Sequence, residues 1–133
     1  MIAFVDTSAF VAVLDRDERH HASARRKWGT LIESQAVLVV TNYVLVETVV
    51  LVQSRLGLDA LRVLYEDILP LLQVEWVDEQ THRAGMAGVL AASRRRLSLV
   101  DCVSFEVMRR LGISDVFAFD RHFREQGFDD VAV

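Results

Sequence analysis

Four acidic residues directly follow or interrupt apolar segments of the sequence: Asp6, Glu47, Asp101 and Asp120. Asp6 and Asp120 each stand at the end of a short apolar run that is typical of a buried β-strand. Glu47 interrupts the segment VLVETVVLV, and Asp101 interrupts LSLVDCVSF. An isolated carboxylate in such a setting is costly unless a cation, a metal ion or a proton accompanies it. These four positions are therefore the first candidates for a functional site.

Each of these acids also has a purely structural interpretation. Asp6 and Asp120 are suited to cap the helices that follow them. Asp101 stands three residues after Ser98, which is the spacing of a capping box. Glu47 would need an exposed edge or a buried arginine partner. Capping does not explain why Glu47 joins the other three, so we expect the four carboxylates to converge on one edge of the fold.

Converging carboxylates repel one another and require a counter-charge. Because this set offers oxygen ligands without histidine or cysteine, it favours Mg²⁺, with Mn²⁺ as a second candidate, over zinc. A water molecule held by such an ion is a nucleophile for hydrolysis. The predicted chemistry is phosphodiester hydrolysis, with Asp6, Asp101 and Asp120 as metal ligands. Glu47 is either a further ligand or a base that orients the water.

Polar residues next to the acids are candidates for substrate binding. Thr7 and Ser8 follow Asp6 and can hydrogen-bond a metal-bound water or a phosphate, or can be ordinary residues of a first helical turn. Arg121 follows Asp120 and is the candidate for a phosphate contact, because a guanidinium group matches phosphate oxygens well.

Two further groups of residues have a functional and a structural interpretation, and the structural one is favoured for both. His122 is a candidate general acid, but a histidine that packs against a helix or lies at the surface is more common. The arginines at 94–96 and the pair Arg109–Arg110 can guide the backbone of a phosphodiester substrate. Such runs more often form solvated helix faces.

The elements that must position these residues alternate between short apolar runs and longer helical patterns. Strands are predicted at residues 2–5, 36–40, 74–77 and 116–119, with a possible fifth at 131–133. Helices are predicted at residues 8–14, 19–33, 43–56, 59–72, 79–95 and 100–111, the last of them closed by Gly112. Continuous apolar strands are typical of a parallel sheet covered on both faces, and ligands bind such sheets outside the carboxyl ends of the strands. Asp6 and Asp120 are placed at that edge.

The composition restricts the remaining classes of function. With 133 residues, 52% hydrophobic and 26% charged, the chain is expected to fold as one globular domain. Cys102 is the only cysteine, which excludes an intrachain disulfide and a cysteine-rich zinc site and favours a cytoplasmic location. The apolar segment 34–54 contains too many polar residues for a membrane span. A net charge of −4 excludes nucleic-acid binding by bulk electrostatics, so a polyanionic substrate would depend on divalent metal.

Four blocks of the sequence, in order, resemble the motif blocks of PIN-domain ribonucleases: FVDTSAFVAVLD at 4–15, the glutamate in NYVLVETV, LSLVDCVSF at 97–105 and VFAFDRHF at 116–123. Their spacing is similar to that of VapC-type toxins of type II toxin–antitoxin systems. The resemblance implies one PIN-like domain over residues 1–133, an α/β/α sandwich with a mostly parallel five-stranded sheet. It also implies a Mg²⁺-dependent endoribonuclease whose catalytic quartet is Asp6, Glu47, Asp101 and Asp120.

The resemblance further implies partners. A toxin of this type acts on RNA and is restrained by an antitoxin made alongside it, whose tail blocks the acidic cleft. The high mean hydropathy of a chain this small favours a covered surface, and a homodimer is the default assembly. The family often has threonine or serine two residues before the last aspartate, where this chain has Ala118. That departure concerns a secondary polar contact and not the quartet.

Other functions stay open at this point. The chain can be an RNA-processing PIN nuclease outside a toxin–antitoxin pair, or a non-catalytic PIN module that binds RNA or protein. A phosphoryl-transfer enzyme with Asp6 as covalent nucleophile is disfavoured, because Ser8 stands where a second aspartate is needed and the only lysine is Lys27. Metal-dependent cleavage of RNA separates the nuclease from the other classes.

Overall fold

The sheet of this protein is parallel throughout. Its strands are β1 (Ile2–Val5), β2 (Val37–Thr41), β3 (Leu72–Glu75), β4 (Asp115–Phe117) and β5 (Asp129–Asp130). The computed structural model describes residues 1–93 and 96–132, and its five strands lie in the order β3-β2-β1-β4-β5 with parallel neighbours. The predicted α/β class with a five-stranded, mostly parallel sheet is confirmed.

Helices connect the strands. They are α1 (Thr7–Leu14), α2 (His21–Glu33), α3 (Asn42–Arg55), α4 (Leu58–Val63), α5 (Glu79–Ala92), α6 (Leu99–Leu111) and α7 (His122–Glu125). A π-helical turn (Leu64–Ile68) and a 3₁₀ turn (Leu69–Leu71) extend α4 towards β3. Gly112 closes α6 with φ 69°, as the sequence predicts, because a left-handed residue at this position favours glycine.

Both faces of the sheet are covered. Ala3, Phe4 and Val5 of β1 are fully buried. Successive residues of a strand point to opposite faces, so burial of all three requires packing on each side. The apolar runs that identify strands from sequence are therefore a consequence of this layered arrangement.

Several predicted boundaries were wrong, each for a local reason. The helix predicted at 59–72 ends earlier and β3 begins at Leu72, because Pro70 lacks the amide proton that a continuing helix needs. The helix predicted at 43–56 spans Asn42–Arg55, because Thr41 caps α3: its hydroxyl accepts from the amide of Val44, while the Asn42 side chain accepts from the amide of Val77.

The last strand was predicted two residues too late. β5 is formed by Asp129–Asp130, where the amide of Asp129 donates to Ser114 and that of Val131 donates to Val116. An edge strand of two residues needs no apolar run, so hydropathy did not reveal it. Of the predicted strand 131–133, residue 133 lies outside the described part of the chain.

The predicted helix 79–95 ends at Ala92, and its last two positions, 94 and 95, lie outside the described part of the chain as well.

The order of the strands reverses beside β1. The chain builds β2 and β3 on one side of β1 and then returns to build β4 and β5 on the other. The amide of Asp6 donates to the carbonyl of Phe117 over 3.0 Å, so the carboxyl ends of β1 and β4 are adjacent. Within residues 1–93 and 96–132, no helix combines the length and apolar character that crossing a membrane requires.

Candidate active site

A polar cleft of about 620 Å³ lies where the carboxyl ends of β1 and β4 meet. All four acids singled out from the sequence line it, as do Thr7 and Ser8. The full lining is Asp6, Thr7, Ser8, Val11, Glu18, Arg19, His20, Glu47, Leu51, Arg55, Arg96, Ser98, Asp101, Phe119 and Asp120. The structure thus brings together carboxylates from four separate segments. Their catalytic role stays a prediction.

Asp6 is the most buried of the four acids, with 4% of its surface exposed. It caps α1: its Oδ2 accepts from the amide of Ser8 at 3.1 Å and from the Ser8 hydroxyl at 2.7 Å. Burial raises the pKa of Asp6 to about 7, although both hydrogen bonds from Ser8 lower it, and the nearby Asp101 and Glu47 raise it further. The predicted cap is therefore real, and it is compatible with a functional role.

Ser8 links two of the acids through one hydroxyl group. The Ser8 Oγ donates to Asp6 and accepts from the amide of Phe119 at 2.9 Å. Phe119 directly precedes Asp120. The side chain of Ser8 therefore holds the position of Asp6 relative to the segment that carries Asp120, which is a structural task beyond the substrate contact predicted from sequence.

Thr7 joins α1 to α3. Its hydroxyl donates to the carbonyl of Val44 at 3.4 Å and lies 3.1 Å from the Thr48 hydroxyl, which also reaches the Val44 carbonyl at 2.7 Å. Thr7 and Thr48 are both buried. These contacts fix α3, the helix that carries Glu47, against the start of α1.

Asp101 and Asp120 lie near the starts of α6 and α7. Ser98 and Asp101 form the predicted capping box at the start of α6, with Asp101 Oδ2 accepting from the amide of Ser98. Asp120 Oδ1 accepts from the amide of His122 at 2.8 Å. Burial raises the pKa of Asp101; the bonds from Ser98 oppose this shift, and the charge of Asp120 adds to it.

His122 joins the acids, which the sequence interpretation did not favour. One ligand atom from each of Asp101, Asp120 and His122 lies within 4.8 Å of the others. The His122 side chain is 11% exposed, with Nε2 at 3.6 Å from Asp120 Oδ1. Its Nδ1 is buried and has no hydrogen-bond partner among the described residues, although Glu125 Oε2 lies 3.9 Å away. The spacing of Asp120 and His122 in VFAFDRHF was the only sequence signal for this placement.

These residues fit a divalent metal ion. Asp101, Asp120 and His122 offer two carboxylates and one imidazole whose ligand atoms lie close enough together to share one ion. Asp6 and Glu47 lie in the same cleft and add negative charge that a cation would offset. Carboxylate-rich sets suit Mg²⁺ and Mn²⁺, while the imidazole is better matched to Mn²⁺ than to Mg²⁺.

Glu47 differs from the other three acids in its hydrogen bonding. Its helix is apolar but not enclosed, since Val46 and Val50 are exposed, and Glu47 itself is half-buried. The partly exposed position that a structural interpretation of Glu47 requires is therefore present. Its carboxylate makes no hydrogen bond to any residue that the structure describes, so it is free to accept a proton or a ligand within the cleft.

The structure places Arg121 and Arg109 away from the roles in substrate binding that the sequence suggested. Arg121 is exposed, pairs with Glu125 at 3.3 Å, and is absent from the described lining of the cleft. Its phosphate contact stays a prediction. Arg109 lies over the rings of Phe105 and Phe128, which supports the structural interpretation of that residue.

Other basic groups occupy the cleft wall. Arg19, Arg55 and Arg96 line it, together with His20. Of the predicted run 94–96, only Arg96 belongs to the described residues. Arg19, His20 and Arg55 were missed as site residues because nothing in the spacing of their own segments places them beside the four acids.

A second cavity, of about 760 Å³, is almost entirely apolar. Residues of α3, α4, the following turns and the end of β3 line it, including Val49, Tyr65 and Trp76. It shares no lining residue with the acidic cleft.

Comparison with known proteins gives a consistent result. The PIN domain family matches residues 3–129. The chain is 32% identical over 129 residues to 23S rRNA-specific endonuclease VapC20 of Mycobacterium tuberculosis, in strains CDC 1551 / Oshkosh and H37Rv, with 96% of each chain covered.

Solved structures agree with the sequence comparison. The crystal structure of Mycobacterium tuberculosis VapC20, described as a sarcin-ricin loop cleaving toxin, matches with a TM-score of 0.83 and 30% identity over 98% of both chains. FitAcB from Neisseria gonorrhoeae matches with a TM-score of 0.70 and 16% identity, over 98% of this chain and 96% of that one. The second match concerns the fold alone.

Proposed function

The chain belongs to the PIN domain family, and from that premise we propose that it is a metal-dependent endoribonuclease that hydrolyses an RNA phosphodiester bond in the acidic cleft. The observation that carries the proposal is the meeting of Asp6, Glu47, Asp101 and Asp120 in one cleft at the reversal of strand order. Hydrogen bonds near helix starts explain three of these acids separately. It does not explain why all four line the same cleft.

The proposed role of each residue follows from its environment in the cleft. Asp101 and Asp120, with His122 beside them, would hold Mg²⁺ or Mn²⁺, and Asp6 would add negative charge that helps to retain the ion. When bound, the ion polarises the scissile phosphate and lowers the pKa of a coordinated water. Glu47 lines the same cleft without a hydrogen-bond partner among the described residues, and it would accept the proton of the attacking water. Arg55 and Arg96 contact the flanking phosphates from the cleft wall.

The substrate proposed for this cleft is ribosomal RNA. The relative at 32% identity is named a 23S rRNA-specific endonuclease, and its crystal structure is described as that of a sarcin-ricin loop cleaving toxin. Because the alignment covers 96% of both chains, we extend this target to the present protein. An unpaired loop is a suitable substrate, since its bases are free to contact side chains.

The partner proposed for this chain is an antitoxin, as in the VapC-type pairs that its sequence resembles. A basic side chain of the antitoxin would enter the cleft and pair with the carboxylates in place of metal. The test is co-expression with the protein of the adjacent reading frame. Growth arrest that this neighbour relieves supports the toxin role, and free growth without it contradicts that role while leaving the nuclease chemistry intact.

The cleavage experiment uses end-labelled sarcin–ricin loop RNA. Wild-type protein should cut it with Mg²⁺ or Mn²⁺ and should be inactive with excess EDTA. Asp101→Asn should abolish cleavage, whereas Asp59→Asn, at a fully exposed aspartate outside the cleft, should not. Full activity in EDTA, or retained activity in Asp101→Asn, would contradict the proposed function. Cleavage of a different RNA would contradict only the proposed target.

A further inference from the structure

Two aromatic rings form a stacked pair in the wall of the acidic cleft. The rings of His20 and Phe119 lie 4.7 Å apart between centroids at an interplanar angle of 12°. Both residues line the cleft, and both are half-buried. We infer that this pair is the subsite for an unpaired RNA base next to the scissile phosphate. The inference rests on the proposed nuclease function and specifies how its substrate is held.

The open part of the stack belongs to the cleft. Phe119 covers one face of the His20 ring, and both side chains are partly exposed and contribute to the cleft lining, so a ligand in the cleft can reach the pair. A base has a flat aromatic face, and stacking on a protein ring is tolerant of base identity. The exposed aromatic side chains Tyr65 and Trp76 line the apolar cavity instead, where no carboxylate of the quartet is present.

The pair is fixed relative to the acids. The amide of Phe119 donates to Ser8 Oγ, which in turn donates to Asp6, and Phe119 directly precedes Asp120. The Phe119 ring also packs edge-on against the fully buried Phe117. A base stacked on the pair would therefore place its phosphate at a constant distance from Asp6 and Asp120. Rigid positioning of this kind reduces the entropy lost on binding.

The His20 side of the pair is equally well anchored. The carbonyl of His20 accepts from the amide of Ala24 at 2.8 Å and from the Ser23 hydroxyl at 3.1 Å, which holds the residue at the start of α2. The guanidinium of Arg19 donates to His20 Nε2 at 3.3 Å. Arg19 also lines the cleft, so a cation stands beside the stack where the charged backbone of an RNA strand would pass.

The test compares His20→Ala, which removes the ring, with His20→Phe, which keeps a stacking surface. Tyr65→Ala is the matched control, because it removes an exposed aromatic ring outside the cleft. With sarcin–ricin loop RNA and Mn²⁺, His20→Ala should raise KM about tenfold and leave kcat nearly unchanged, as expected for one lost base–aromatic stack. His20→Phe should restore most of the loss, and Tyr65→Ala should match wild type.

A second experiment measures RNA binding, does not depend on cleavage, and identifies which RNA base stacks on the pair. Fluorescence anisotropy measures the affinity for short unpaired RNA strands in which single nucleotides are made abasic in turn. Wild type should lose affinity about tenfold at one position, and His20→Ala should show no additional loss there. Melting temperatures of the variants establish that each is folded.

The outcomes separate the two proposals. Equal KM and equal RNA affinity in wild type and His20→Ala would overturn the inference and leave the nuclease function standing. A loss of kcat without a change in KM would also overturn it, since that result assigns His20 to the chemical step. Absence of metal-dependent cleavage by wild type, with RNA binding that still depends on His20, would overturn the proposed function and retain the base subsite.

Discussion

At the scale of single residues, Asp6 couples the folding of the protein to pH. Burial raises its folded-state pKa to about 7 from 3.8. The folded chain holds this proton more tightly than the unfolded chain, so the contribution of Asp6 to stability falls as pH rises from 3.8 to about 7. Burial raises the pKa of Asp101 as well, and its contribution has the same sign.

We therefore expect the protein in chelator to melt at a higher temperature near pH 5 than near pH 8. Asp6→Asn should remove much of this difference, because asparagine does not titrate. Asp78 does not interfere, since hydrogen bonds from Thr81 lower its pKa and move its titration below this window. Thermal melts by circular dichroism provide the measurement, and an equal pH dependence in wild type and Asp6→Asn would contradict the assignment.

Substitutions of Glu47 and Asp101 are expected to lower activity for different reasons. Glu47 is half-buried and has no hydrogen-bond partner among the described residues, whereas Asp101 belongs to the group of three potential ligands. Glu47→Gln should lower kcat by about 10²–10⁴-fold, the usual cost of losing a proton acceptor, while Mn²⁺ affinity changes little. Asp101→Asn should weaken Mn²⁺ binding itself. Calorimetric titration with Mn²⁺ distinguishes a metal ligand from a proton acceptor. An equal loss of Mn²⁺ binding in both variants would make Glu47 a ligand instead.

At the scale of elements, the contact between α5 and α6 holds Asp101 in place. A Cβ added to Gly85 would lie 2.5 Å from Val103 Cγ2 and 3.3 Å from the Val103 backbone nitrogen. Val103 is fully buried and lies two residues after Asp101, so it has little room to move. Close packing of these two helices therefore depends on the absence of a side chain at position 85.

Gly85→Ala should accordingly destabilise the protein by about 1–3 kcal/mol through overpacking and should lower cleavage activity by displacing α6. Gly88→Ala is the matched control in the same helix, where the new Cβ would meet Cys102 Cβ at an ordinary 3.5 Å. Alanine has the higher helix propensity, so this variant should be neutral or more stable. Chemical denaturation measures both, and similar stability for the two variants would show that α5 and α6 can separate without cost.

At the scale of the whole molecule, apolar surface remains exposed. Trp76 is 74% exposed and Leu90 is 71% exposed, and Val46 and Val50 add to the open face of α3. Exposed apolar area of this kind favours association, and a two-fold dimer is the commonest solution. We expect light scattering of the purified protein at micromolar concentration to give the mass of two chains. The mass of one chain would contradict the homodimer.

Much of the fold could be predicted from the sequence because the evidence for it is local. The apolar run of β1 and the acid that follows it appear in adjacent residues, as do the capping box of Ser98 and Asp101 and the closing glycine of α6. The ends of helices and strands were less predictable where a single hydrogen bond determines the first residue of the element. Thr41 caps α3, so this helix begins one residue before the predicted 43, and β5 needs only two polar residues because it pairs along one edge.

The sequence by itself determined which acids stand at the ends of apolar strands, because burial of a strand on both faces requires a continuous apolar run and a polar residue where it stops. The tertiary structure alone decided which side chains share the cleft. His20 stacks on Phe119, and Arg121 pairs with Glu125 and lies outside the described lining. Contacts between residues far apart in the chain depend on strand order and helix packing, and neither hydropathy nor spacing records these.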